Sequence, residues 1–261
     1  MDPLVVATFA VVALLEIIVP LALGYWIVKK FGVPWRVFVL GALFFIVVQI
    51  VHAPLVLVTQ TPLYLAVLPF GTTAAVAVLA VYLGLMAGLF EEIGRYLVYR
   101  YLFPRREIPL SRENGLQFGV GWGGVESIFV ALLVLTSMVS YIAITGEGSM
   151  LFLPDDPAVQ AEIEALRALT PLDILPGLAE RMMTIVLHIA WSLMVLAAIV
   201  YNKKALLALA VIWHAAVDAA AVYLAQMQGI LVTEAAVFVF AVIGVAYILW
   251  EWRRMGVRAT S

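Results

Sequence analysis

Long apolar runs organise this sequence. Stretches at roughly 4–28, 35–58, 73–103, 115–144, 172–201, 204–228 and 232–253 are almost wholly apolar, with charged or Gly/Pro-rich breaks between them. About 20 such residues, rising 1.5 Å each as a helix, cross a hydrocarbon core. Each stretch is therefore predicted to be a membrane-spanning helix. Segment 62–71 is apolar but short and holds Pro62 and Pro69, which points to a re-entrant piece or an interfacial turn. No internal repeat or low-complexity tract interrupts the series.

The polar breaks orient the bundle. Lys29, Lys30, Arg36, Arg100, Arg105, Arg106, Arg112, Lys203, Lys204, Arg253, Arg254 and Arg258 fall at alternate connections and the C-terminus, and make 12 of the 15 Lys and Arg. The opposite connections hold Arg167 alone among basic residues, with Asp2, Glu147, Asp155, Asp156, Glu162, Glu164, Asp173 and Glu234. Basic loops stay in the cytoplasm, so the N-terminus is expected outside and the C-terminus inside. The one long connection, about 146–171, is outside on this reading. It predicts a surface helix in which Asp156 caps, Pro157 opens the first turn, and Val159, Ile163 and Leu166 share a face.

Composition agrees and narrows the classes. The chain of 261 residues is 65% hydrophobic and 12% charged, with mean hydropathy +1.10, against about a quarter charged in soluble domains. One transmembrane helical domain, 1–261, is expected, with no room for a soluble one. A net charge of −2 offers no basic surface to nucleic acid. Cysteine is absent, which removes disulfides, thiol nucleophiles and Cys-based zinc sites. Met1-Asp2-Pro3 lacks the positive region of a cleaved signal, so the first apolar run is expected to stay as a helix.

Against that background the ionisable residues inside the spans stand out: Glu16, Glu91, Glu92, Arg95, Glu126, Glu180, Arg181, His188, His214 and Asp218. A charge at mid-bilayer costs about 2.5–3.5 kcal/mol on insertion scales and normally faces a cavity or a partner. Glu91 and Arg95 are i,i+4 on the third span and can pair, with Glu92 pointing about 100° away. His214 and Asp218 repeat that spacing, so the carboxylate can orient the imidazole. Arg181, Thr184, His188 and Trp191 share a face of the fifth span, with Glu180 on its flank; Gly119, Trp122, Gly123 and Glu126 share a face of the fourth. Counted from the basic ends, Glu91, Glu126, His188 and His214 all lie about 15–21 Å deep, which predicts one polar cavity. His52, Trp122, Trp191 and Trp213 read as structural, and Glu16 has no evident place.

These residues also carry a resemblance. Glu91-Glu92-Ile93-Gly94-Arg95 matches the EExxR motif of the glutamate-dependent intramembrane protease superfamily, which includes CAAX prenyl endopeptidases, PrsW, YhfC and the anterior-pharynx-defective subunit of gamma-secretase. His214-Ala215-Ala216-Val217-Asp218 resembles its final HxxxN/D motif. Gly119 to Glu126 is similar to the glycine-rich fourth helix of the YhfC family, and Glu180-Arg181 with Leu187-His188 to that family's fifth helix. The likeness spans about 85–225. In one respect the chain departs from the pattern: Trp122 stands where a histidine is usual, and indole can neither bind a metal nor accept a proton.

The resemblance implies an intramembrane endopeptidase acting on a membrane-embedded peptide. Glu91 would be the base that activates water, and Glu92 or Arg95 would position it. His214, oriented by Asp218, would with His188 stabilise the oxyanion, or His188, His214 and Glu126 would ligate a zinc ion. Glu126, Glu180, Arg181 and His188 would support. The protein would reside in the cell membrane, with lipid as its surroundings. Two other classes stay open at this point: a non-catalytic membrane scaffold or chaperone like the gamma-secretase subunit, which shares the seven-span layout, and a proton-coupled transporter using an acid-and-His relay.

Overall fold

The computed structural model describes residues 1–146 and 156–258. Glu147 and Asp155 of the acidic connection lie outside the described residues, as does the Arg258 side chain. Among the described residues every element is helical: α1 Pro3–Phe31, α2 Trp35–Val67, α3 Thr72–Leu97, α4 Phe103–Arg105, α5 Arg112–Thr145, α6 Pro157–Arg167, α7 Pro171–Val200, α8 Lys204–Met227 and α9 Ile230–Arg258. Seven are long and apolar enough to cross a membrane.

Local chemistry sets the ends. The Asp2 carboxylate accepts from the Leu4 N–H at 2.8 Å and Pro3 opens α1, which closes on Gly32 at φ 70. Thr170 and Asp173 form a reciprocal cap at the start of α7, where Pro171 fills the first turn. The surface helix expected in the long connection is α6. The Asp156 carbonyl accepts its first backbone bond at 2.9 Å, Pro157 opens it, and Ile163 is buried.

The second span departs from expectation. α2 does not stop near 58 but runs through Pro54 and Pro62 to Val67, and the reversal is a 3₁₀ turn at Leu68–Phe70 followed by Gly71 at φ 106. Each proline removes one backbone bond, whereas unwinding the segment in lipid would leave several groups unpaired. The third span continues past Leu97 through a π-helical turn, Val98–Leu102, into α4.

α7 is the most enclosed helix, and α5, α9, α1, α8 and α3 pack around it; α2 lies outside, against α5 and α3. Glycines set these approaches. A Cβ on Gly121 would strike the Phe38 backbone, its Cα at 2.9 Å, and one on Gly123 would meet the His188 Cβ at 2.9 Å. Thus α5 touches α2 with one face and α7 with another. Gly121→Val is expected to destabilise the protein by about 1–3 kcal/mol, as overpacking does. Thermal unfolding in detergent reads this directly, and an unchanged midpoint would show that Gly121 does not set the spacing.

Candidate active-site cavity

α3 delivers Glu91, Glu92 and Arg95 to the interior, and all three are buried. The Arg95 guanidinium is the hub. Its Nη2 donates to Glu91 Oε2 at 3.2 Å and lies 2.6 Å from His188 Nδ1, while Nη1 pairs with Glu92 Oε1. Its plane lies over the Trp122 ring, 4.4 Å from the centroid. Arg95 therefore has both carboxylates as partners. Helical spacing alone points to Glu91, but i,i+3 reaches a guanidinium as well as i,i+4 does.

Glu91 is held at both oxygens. Gln49 Nε2 donates to its Oε1 at 3.2 Å, and Trp122 Nε1 donates to its Oε2 at 2.8 Å beside the Arg95 bond. Trp122 and Gln49 thus take part in the site. Reading the indole as packing overlooked its N–H; Gln49, an amide in an apolar run, was itself an unused signal.

The opposite wall comes from α5 and α7. His188 Nε2 meets Glu126 Oε2 across the gap that Gly123 leaves, Arg181 Nη1 donates to Glu126 Oε1 at 2.9 Å, and Arg181 Nη2 to Glu180 Oε1 at 2.5 Å. From α8, His214 places Nδ1 2.6 Å from Glu92 Oε1 and Nε2 3.5 Å from Asp218 Oδ2. Asp218 is therefore the more distant of the two carboxylates on that imidazole. Trp191 stacks on His214, centroids 3.9 Å apart and planes 10° off parallel. Glu91, Glu126, Glu180, Arg181, His188, His214 and Asp218 all line one cavity of about 80 Å³. Glu92 and Arg95 lie just behind it.

Two acids sit where the sequence pattern does not put them. Glu16 is fully buried on α1, where its backbone carbonyl accepts from Ser127 Oγ at 2.8 Å and Arg181 and Glu180 act on its carboxyl electrostatically. Glu234 belongs to the first turns of α9 rather than to a loop, with its carboxyl oxygens buried and near Glu180.

The donors do not fit a zinc ion held by His188, His214 and Glu126. A guanidinium has no lone pair, so His188 Nδ1 must accept from Arg95, which places the ring proton on Nε2, facing Glu126. Neither nitrogen then keeps a lone pair for a metal. His214 faces a carboxylate at each nitrogen, Glu92 at Nδ1 and Asp218 at Nε2, so both nitrogens carry a proton and neither offers a lone pair. Among the described residues no three His, Asp or Glu side chains gather closely enough for a metal ion.

Comparison with known proteins converges on one family. The family model described as "YhfC intramembrane metalloprotease" matches residues 12–241. The curated relative "Uncharacterized membrane protein YhfC" of Bacillus subtilis (strain 168) is 30% identical over 250 residues, covering 89% of this chain and 90% of that protein. No solved structure matches.

Proposed function

The chain belongs to the YhfC intramembrane metalloprotease family, and on that footing we propose that it hydrolyses a peptide bond within the bilayer, with Glu91 as the base. One observation carries this reading. Glu91 lines the cavity with both oxygens fixed by Gln49, Trp122 and Arg95, which leaves one of about four acceptor positions for a water. Glu91 takes a proton from that water as its oxygen adds to the carbonyl carbon; the proton passes to the leaving nitrogen as the C–N bond breaks. Arg95 and Glu92 hold Glu91 and His214 in place. The His214 imidazole and Arg181 face the cavity as donors for the developing oxyanion, and Asp218 helps orient the imidazole. Glu126, His188 and Glu180 hold the facing wall. The substrate on this reading is a membrane-embedded peptide. Cleavage of a membrane reporter by purified protein in detergent, with Glu91→Gln as its inactive control, is the test.

No step here passes through a metal, because His188 has no free lone pair. His188→Gln is accordingly expected to leave the zinc content of purified protein unchanged, measured by elemental mass spectrometry. Loss of bound zinc in that variant would show that His188 turns to ligate it.

Trp122 favours a second reading, a scaffold with a closed cavity, since the indole occupies the place of a histidine and covers Glu91. Absence of cleavage by native protein, joined to retained stability, would favour it.

The orientation proposed is N-terminus outside and C-terminus in the cytoplasm, in the cell membrane, on the distribution of basic residues. A reporter that is active only in the cytoplasm, fused between α5 and α6, is expected to be silent. Full activity there would invert the bundle.

A further inference from the structure

A groove of about 340 Å³ lies at the basic end of the bundle, lined by Arg36, Val39, Leu40, Arg106 and Ile108. We propose that it binds the phosphate group of an anionic phospholipid. The reading is independent of the catalytic one.

Three features meet there. Arg36 and Arg106 are exposed, and neither guanidinium has an ion-pair or hydrogen-bond partner among the described residues. The nearby N-terminus of α2 carries no side-chain cap, since the residue before it is Pro34, so the positive end of a 33-residue helix opens at the same place. The far wall is a held turn: Glu107 adopts φ 52, and the Ile108 N–H donates to the Phe103 carbonyl at 2.9 Å, which buries Ile108 and sets Arg106 beside it. Two unpaired guanidiniums and an uncapped helix end form an anion site.

The apolar side of the groove argues for a lipid as the source of the phosphate. Val39 is 56% exposed, and Leu43 at 48% and Val47 at 44% follow it at helical spacing along α2. This stripe runs from the guanidiniums into the apolar body of the span, as an acyl chain would. Lys29, Lys30, Arg100 and Arg105 stand at the same end of the bundle, the end expected to meet the anionic cytoplasmic leaflet.

The test is native mass spectrometry of detergent-solubilised protein, offered phosphatidylglycerol and phosphatidylcholine with identical chains at equal concentration. Native protein should retain phosphatidylglycerol about 30-fold in preference, the order that two basic groups at about 1 kcal/mol each supply at a membrane surface. Arg36→Gln with Arg106→Gln should erase that preference, and because both side chains are exposed the thermal midpoint should not move. Lys29→Gln with Lys30→Gln, which removes equal charge from the same end outside the groove, should keep it. The proposal is overturned if the arginine pair still discriminates, or if the lysine pair loses as much. Millimolar inorganic phosphate is the remaining arm: retention of phosphatidylglycerol in its presence supports a lipid ligand, and displacement would assign the site to free phosphate and overturn the lipid reading.

Discussion

Glu91→Gln is expected to give a folded protein that has lost about 10²–10⁴-fold of its cleavage rate, the contribution typical of a positioned base. The amide keeps the length and shape of the side chain, and its carbonyl oxygen can still accept from Trp122 or Arg95. It cannot take a proton from water. Arg95 keeps the Glu92 carboxylate as its partner in this variant, so thermal unfolding should stay close to native while hydrolysis of a membrane reporter falls. Glu126→Gln provides the contrast. Glu126 lines the same cavity but is engaged by Arg181 and His188, so its loss should weaken the wall and lower activity by less. If Glu91→Gln cleaves as fast as native protein while Glu126→Gln does not, the base is Glu126 and the assignment here is wrong.

Arg95→Ala is expected to cost stability, by about 3–5 kcal/mol, before it costs anything else. Removing one member of a buried charged cluster leaves its partners unpaired in low dielectric, and that penalty exceeds the worth of any single bond. Here one guanidinium serves Glu91, Glu92 and His188, all buried, and also covers the face of Trp122. The expected readout is a sharp fall in folded yield and thermal midpoint in detergent. Arg95→Lys should recover only part of the loss, because an ammonium is a point charge and lacks the planar fork that reaches several partners at once. An Arg95→Ala protein with the native midpoint would show that the cluster is not held by this residue.

Which contacts are legible in the sequence follows from the range of the forces involved. Glu91 with Arg95 and His214 with Asp218 were legible because helical spacing is local: three or four residues on, the chain returns to the same face. Helix depth brought Glu91, Glu126, His188 and His214 to one level, since all the spans share one membrane thickness as their ruler. The partner of each group was a different matter. His214 meets Glu92 on α3 more closely than Asp218 on its own helix, and Trp122 turns its N–H toward Glu91. Such pairs depend on how two helices are rotated against each other, which spacing within one helix cannot encode. Glu16 could not be placed for the same reason, because its surroundings come from α5 and α7.

The sequence by itself determined that the chain is a bundle of seven apolar helices with ionisable groups in its interior, because backbone groups in lipid must bond within a helix and a hydrophobic run of the right length has no other stable form. It also determined which end of each span is basic. Only the tertiary structure decided that Arg95 is shared among Glu91, Glu92 and His188, and that His188 therefore has no lone pair to offer a metal. The physical reason is contact. The apolar pattern states that helices must pack but is nearly silent on rotation, whereas the glycines of α5, where even a Cβ would collide with Phe38 or His188, fix how close and at what turn the helices meet.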